Sequence, residues 1–439
     1  MSLQNRCKTL LLCLGLALPA LAEATPPAPA PVLVAVEAAT PKITGYRLPP
    51  DKLKRAEGLY RTRTVLFVVG SVYGILALLL VLRLRIGARF RTLAEAASRR
   101  RFVQALVFVP MLILALDLLT LPLGLYGQHL QLAYGLSVQH WGSWFGDWAK
   151  GELIGIILST LLIWGLYAIL RRSPKCWWFY GWLAMVPVIV FMLFIAPVVI
   201  DPLFNKFDSL EARRPLLVEQ IERVVARGGM TIPRARMYEM AASEKVTTYN
   251  AYVTGIGASK RVVVWDNTSK ELGIPQTLFI FGHEMGHYVL NHVWKGVGLI
   301  VLGLLAGLYV AYLSLGGILG RWGAAWGIRD LTDWASLPAF FLVFSLFGFL
   351  TQPLSSSLSR YFEHQADIYG LEVIHGLVPD SSQAAAMAFQ KLGEKAYSYP
   401  DPNPFFVLWT YDHPPVADRT RFALDYRPWD EGRTTEFVK

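Results

Sequence analysis

Cysteine is close to absent from this chain: three residues in 439, with Cys7 and Cys13 near its start and Cys176 alone further on. That excludes a cysteine metal cluster and, once a leader is removed, any intramolecular disulfide. Charge is sparse too. Asp, Glu, Lys and Arg make up 17% of the residues against 54% hydrophobic ones, and the mean hydropathy is +0.38. Soluble domains carry about 25% charge, and apolar runs this long cannot be covered by the chain's own polar surface. An ordinary soluble domain is excluded. Acidic residues are the scarcer sign, 32 against 42 basic ones, leaving a net charge of +10. A basic excess can signal nucleic acid, but here the arginines stand beside apolar runs, as in Arg83-Leu-Arg-Ile-Gly-Ala-Arg-Phe-Arg91 and Arg99-Arg-Arg101. That placement fits a membrane surface and no nucleic-acid partner. Within the apolar runs only Asp117 lies deep. It either lines an internal chamber or is a structural hydrogen-bond partner; a transporter would need more such groups.

What is present falls into a clear order. Residues 1–24 read as a secretory signal: Arg6 and Lys8, an apolar run from Leu10 to Leu18, then the small-residue stretch Leu21-Ala22-Glu23-Ala24. An uncleaved anchor is the alternative. Residues 25–58 form a Pro/Ala-rich tether and N-terminal segment. Six runs of membrane length follow, at about 64–82, 103–125, 153–170, 177–200, 297–319 and 337–350. The first four occupy a 59–200 block and the last two a 296–353 block. Two polar segments, 201–295 and 354–439, carry the chemistry. Loop 83–101 holds seven arginines, and Arg171, Arg172 and Lys175 follow the third span. If both loops are cytoplasmic, both polar segments lie on the opposite face, the one a signal peptide would give the amino terminus. The basic cluster Lys52, Lys54, Arg55, Arg61 and Arg63 at the outer end of the first span argues the other way.

The first polar segment contains His283-Glu284-Met285-Gly286-His287, an H-E-x-x-H pattern. On a helix, positions four apart share a face, so His283 and His287 can reach one metal ion while Glu284 faces the attacking water. The polar core lies among Leu278, Ile280, Phe281, Met285, Val289 and Leu290, where unpaired polar groups would be expensive. Upstream, the pattern reads as a helix at 214–227, a turn at Gly228-Gly229, strands at 236–240 and 247–253, and a hairpin turn into 261–265. Pro275 opens the metal helix. A sheet edge beside such a helix can hold an extended peptide by main-chain hydrogen bonds. Asn250 would then add a side-chain hydrogen bond, or it is a simple strand or turn asparagine.

Two histidines do not complete a catalytic zinc site; a third ligand and an open position are needed. Glu363 and Asp367 lie one helical turn apart in Ser359-Arg-Tyr-Phe-Glu-His-Gln-Ala-Asp367. One carboxylate can bind the metal while the other orients a ligand histidine or supports proton transfer. His292, His364, Glu372 and His375 are the competitors. Near the end, Asp412-His413-Pro414-Pro415 either starts a helix or presents His413 as a donor to an oxyanion.

The ordered set of segments resembles the type I CAAX prenyl proteases, integral-membrane zinc metalloendopeptidases of the gluzincin kind, from about residue 45 to 425. It comprises Leu121-Pro-Leu-Gly-Leu-Tyr126, Pro202-Leu-Phe-Asn-Lys-Phe207, Asn250-Ala-Tyr-Val-Thr-Gly255, Lys260-Arg-Val-Val-Val264, the metal helix, the 359–367 stretch, and His413-Pro-Pro415 with Arg419. The resemblance implies about six transmembrane helices ringing a chamber, joined to an α+β zincin-type domain. It implies one zinc on His283, His287 and Glu363, with Glu284 as catalytic carboxylate and Asp367 as a functional acidic residue, a proton donor among its roles. Asn250 and Arg419 fall to substrate binding. The expected substrate is a peptide or membrane protein at the bilayer. Two features depart from the family: a signal-like start replaces the usual first span, and the charge pattern puts catalysis on the non-cytoplasmic side. Together they favour a bacterial inner-membrane enzyme facing the periplasm over one processing CAAX tails. The rival readings are a heat-shock-type membrane quality-control protease and a membrane scaffold without turnover.

Overall fold

The computed structural model describes residues 42–255 and 260–439. The expected leader, most of the tether and the middle of the hairpin turn lie outside these residues. Six helices are long and apolar enough to cross a membrane. The first, α1, is Pro50–Arg83. A short amphipathic helix, α2 (Ile86–Ala97), precedes α3 (Arg101–Ala133), α4 (Trp141–Arg172) and α5 (Trp177–Ile195). At Pro197 the chain widens into a π turn, Ala196–Ile200, because the proline cannot donate to the preceding turn.

The polar segment then builds a four-stranded sheet in the order β1-β2-β4-β3 from β1 (Phe207–Ser209), β2 (Met237–Met240), β3 (Ala251–Thr254) and β4 (Arg261–Trp265). Only the β2–β4 pair is parallel. Val262, Val263 and Val264 of β4 are all fully buried, as a strand covered on both faces demands. Helix α6 (Pro215–Arg227) covers one face; α7 (Asp266–Glu271) and the metal helix α8 (Ile274–Val289) follow β4. Asn291, at φ +59, breaks the chain between α8 and α9 (His292–Trp326). The last long helix, α10 (Leu337–Ile374), is unbroken from the sixth span through Glu363, so the expected division at 353/354 falls inside one helix. Three helices, α11 (Ser381–Lys395), α12 (Pro404–Thr410) and α13 (Val416–Asp425), close the domain.

The segment 42–58 differs from an extended tether. Residues 42–49 are strapped onto α11: the Ile43 and Arg47 amides donate to Gln383 and Gln390, whose amides donate back to the same residues' carbonyls. Tyr46 is buried and its hydroxyl donates to the Ser398 carbonyl at 2.8 Å. The basic cluster has partners as well. Lys52 pairs with Glu394, Arg55 donates to the Tyr134 carbonyl and stacks over Tyr397, and Arg61 pairs with Glu57.

The loops sort to two ends. At one, Arg91 of α2 meets buried Asp333 at 2.5 Å, Arg329 forks onto Glu95, and Tyr167 bonds Ser336. At the other, Lys245 bridges to Asp147 and Lys150 caps the Leu203 carbonyl, tying the spans to the sheet domain. Between them Asp117 faces Glu152 of α4, close enough for the two carboxyl groups to interact.

Candidate metal centre

Helix α8 can approach α10 closely because of its glycines. A Cβ on Gly282 would lie 2.8 Å from Val373, one on Gly286 would lie 3.0 Å from Tyr369, and one on Gly370 would lie 3.0 Å from the His283 amide nitrogen. Small residues four apart let two helix backbones nearly touch, and here that contact carries Glu363 to the histidine pair. The Nε2 atoms of His283 and His287 are 3.2 Å apart. Glu363 places Oε2 3.2 Å from His283 Nε2 and Oε1 3.2 Å from His287 Nε2. A tetrahedral ion with bonds of about 2.0–2.1 Å separates its ligand atoms by roughly 3.3 Å. The three residues therefore fit one such ion. Glu363 Oε2 supplies a second test: it is buried and makes no hydrogen bond among the described residues, although nitrogen atoms surround it. A shared cation would satisfy it.

Each histidine is oriented from behind. His283 Nδ1 lies 2.8 Å from Asp367 Oδ1. Asp367 is itself held by Arg419, whose Nη2 and Nε donate at 2.6 and 2.8 Å while the guanidinium rests over Phe389. His287 Nδ1 lies 3.1 Å from His292 Nδ1, and His292 Nε2 lies 3.1 Å from Gln365 Oε1. Gln365 Nε2 donates to the Tyr361 hydroxyl, which fixes its oxygen toward His292. With Nε2 of His292 donating, its Nδ1 accepts from His287 Nδ1–H, and the His287 Nε2 lone pair points inward. Such partners set the tautomer of a metal ligand. Five residues past His287, His292 would lie on another face of one continuous helix; the break at Asn291 swings it back behind His287. Gln365, two residues past Glu363, was missed altogether, though its adjacency to the third-ligand candidate was a usable signal.

Burial alone would push the His283 imidazolium down, but Asp367 and Glu363 outweigh it and raise the group to about 10. The pocket thus demands positive charge between these groups, and a metal ion competes with that proton. Burial raises the Glu284 carboxyl above its ordinary value, and the two histidines oppose the rise. His413 stands on the open side, half-exposed, with Nε2 3.2 Å from Glu363 Oε2 and Nδ1 2.9 Å from Asp412. Asn250 is exposed at the start of edge strand β3, where its Oδ1 accepts from the Ala251 amide. Arg419, expected against substrate, is engaged with Asp367 instead. The competitors turn elsewhere. His364 packs on Phe422 and His375 stacks on Trp429. Buried Glu372 accepts from the Tyr426 hydroxyl and from the Glu436, Phe437 and Val438 amides, anchoring the C-terminal tail.

Comparison with known proteins agrees with this geometry. Residues 32–206 match the family model for the CAAX prenyl protease N-terminal region with five membrane helices, and residues 211–427 match peptidase family M48. The chain is 35% identical over 374 residues to the uncharacterized metalloprotease YhfN of Bacillus subtilis, covering 85% of this chain and 86% of that one. It is 24% identical over 421 residues to CAAX prenyl protease 1 of Saccharomyces cerevisiae, covering 88% and 90%. The crystal structure of S. mikatae Ste24p shares the fold, with a TM-score of 0.73 at 22% identity over 86% of this chain and 89% of that one. The chain belongs to peptidase family M48 and is an integral-membrane metalloprotease similar to CAAX prenyl protease 1.

Proposed function

We propose that His283, His287 and Glu363 hold one zinc ion per chain, and that the enzyme hydrolyses internal peptide bonds of peptides or membrane proteins at the bilayer surface. The observation that carries this is the 3.2 Å convergence of three ligand groups beside Glu284. Zinc supplies Lewis acidity and brings the pKa of a coordinated water to about 7. Glu284 takes the proton of the attacking water and hands one to the leaving amine; its upward-shifted carboxyl suits a group that must both accept and donate. Asp367 orients His283, Arg419 holds Asp367, and His413 donates to the developing oxyanion from the open side. The free edge of β3 receives the peptide backbone in an extended form, with Asn250 beside it.

The arginine-rich loops support a cytoplasmic position for the α2 end, and hence a periplasmic catalytic domain in a bacterial inner membrane. With Lys52, Arg55 and Arg61 each partnered within the protein, the basic cluster of α1 loses weight as a topological signal. Nucleic acid has no role in this reading. The decisive experiment compares purified wild type with Glu284→Gln. Both should carry about one zinc per chain, and only wild type should cleave quenched fluorescent peptides. Turnover by Glu284→Gln at the wild-type rate would sink the mechanism.

A further inference from the structure

At the α2 end, far from the metal centre, two arginines stand together without an acid. Arg101 opens α3, and half-buried Arg171 lies in the last turn of α4. They are close enough to repel each other, and among the described residues neither makes an ion pair. The acids of this end are engaged elsewhere: Arg329 forks onto Glu95, Arg91 pairs with Asp333, and Asp330 accepts from Thr332. A built frame holds the two side chains. Buried Gln104 accepts from Arg101 Nη1 at 3.0 Å and from the Trp334 indole at 3.1 Å. Arg171 rests over that same indole, 5.1 Å from its ring centroid, and its Nη1 is buried with no hydrogen-bond partner. Like charges held on one frame repel, and an anion between them turns the repulsion into attraction. On the membrane side the surface changes character. Phe102 and Trp164 meet edge to face at 5.3 Å, both exposed, and exposed Leu106 and Leu161 continue the apolar seam between α3 and α4.

We propose that Arg101 and Arg171 bind the phosphate of one anionic phospholipid, whose glycerol and acyl chains lie over Phe102 and Trp164 and along the α3–α4 seam. Phosphate follows from the planar forks of the two guanidiniums, each able to meet two oxygens at once. A lipid follows from what adjoins them. Trp164 lies seven residues before Arg171, about 10 Å down the helix, so charge gives way to lipid-facing apolar surface over the length of a headgroup and its glycerol. Basic pockets between membrane helices take anionic headgroups in this way. An anionic headgroup is favoured over a zwitterionic one by the surroundings. Arg99, Arg100, Arg172 and Lys175 are exposed around the pair, and the acids that could meet a choline or ethanolamine already have partners. The site owes nothing to the peptidase reading above.

The test titrates full-length, detergent-purified protein with phosphatidylglycerol, phosphatidylcholine or glycerol 3-phosphate and reads bound molecules by native mass spectrometry. Wild type should retain one phosphatidylglycerol per chain, roughly tenfold or more tighter than either other probe, about the weight of a charge-assisted hydrogen bond. Arg101→Gln/Arg171→Gln should lose that preference. Arg99→Gln/Arg100→Gln removes the same charge from the same end but spares the pair, and it should keep the preference. Arg171→Gln also gives up the contact with Trp334, so Arg101→Gln alone is the second variant; it should weaken phosphatidylglycerol binding while melting temperature stays at the wild-type value. Unchanged phosphatidylglycerol binding in Arg101→Gln overturns the proposal. So does an equal loss in the Arg99/Arg100 control, which would make charge density the whole effect. Glycerol 3-phosphate binding as tightly as the lipid would also overturn it, and would name a soluble phosphate as the ligand.

Discussion

At the scale of single residues, the proposed centre divides three groups that converge, His283, His287 and Glu363, from the groups that hold them. The H-E-x-x-H spacing made His283, His287 and Glu284 legible from the sequence, because helical periodicity alone brings them together. Glu363 was legible only as one carboxylate of several, since nothing local distinguishes it from Glu372; folding separates them. Glu363 faces the histidines, whereas Glu372 satisfies three backbone amides and a tyrosine. Glu363→Ala should therefore lose most of its zinc in metal analysis, with melting temperature little changed beyond the loss of the ion. Glu372→Ala should keep zinc but lose roughly 3 kcal/mol of stability, because buried donors are left unpaired, and its C-terminal tail should become sensitive to added protease. Equal zinc content in wild type and Glu363→Ala would refute the ligand assignment. Behind the ligands, Gln365→Leu removes the acceptor that fixes the His292 tautomer. It should weaken zinc affinity by about 10–100-fold, as Asp367→Asn should on the other side. Chelator titration reads both effects, and wild-type affinity in Gln365→Leu would show that His292 orients His287 without help.

At the scale of elements, the sequence pattern delivered the long helices and the hairpin but hid the close packing between them. Gly282-x-x-x-Gly286 was visible, yet its meaning depends on Tyr369, Gly370 and Val373 arriving from a helix some ninety residues away. Strand β1 is three residues long with no alternation of its own, and it exists by pairing with β2. The start of α7 holds the approach to the substrate edge. Asp266 accepts from the Ser243 amide and hydroxyl and from Lys270; Asn267 donates to the Val246 and Thr248 carbonyls; Thr268 bonds Asn250. Burial alone would raise the Asp266 carboxyl, but Lys270 and Ser243 prevail and hold it below the usual range. A depressed carboxyl adds stability that is present above the unfolded pKa of about 3.9 and is lost as pH falls through the folded value. Asp266→Asn should thus cost about 1–3 kcal/mol at pH 7, and thermal melts should find that gap narrowing as the pH is lowered toward 3.5. A gap independent of pH would mean that shape, and not charge, accounts for the effect.

At the scale of the whole molecule, the question is which end faces the cytoplasm. The structure groups the loops without orienting them: α2, the turn after α4 and the 327–336 loop lie at one end, and the sheet, the metal centre and the tail at the other. Orientation rests on charge. Arg83, Arg85, Arg89, Arg99, Arg100, Arg101, Arg172 and Lys175 are exposed at the α2 end, and retained positive charge of this density marks the cytoplasmic side. The opposing signal came from the 52–63 cluster, and most of that cluster is spent on Glu394, Tyr134 and Glu57. The prediction can be read with single cysteines in a background where Cys7, Cys13 and Cys176 are serine. Lys439→Cys should react with a membrane-impermeant maleimide in intact spheroplasts, and Arg99→Cys only after the membrane is permeabilised. The reverse labelling pattern would turn the metal centre to the cytoplasm. It would also restore CAAX-type tails, which are made there, as the reachable substrate, and the zinc chemistry would stand unchanged.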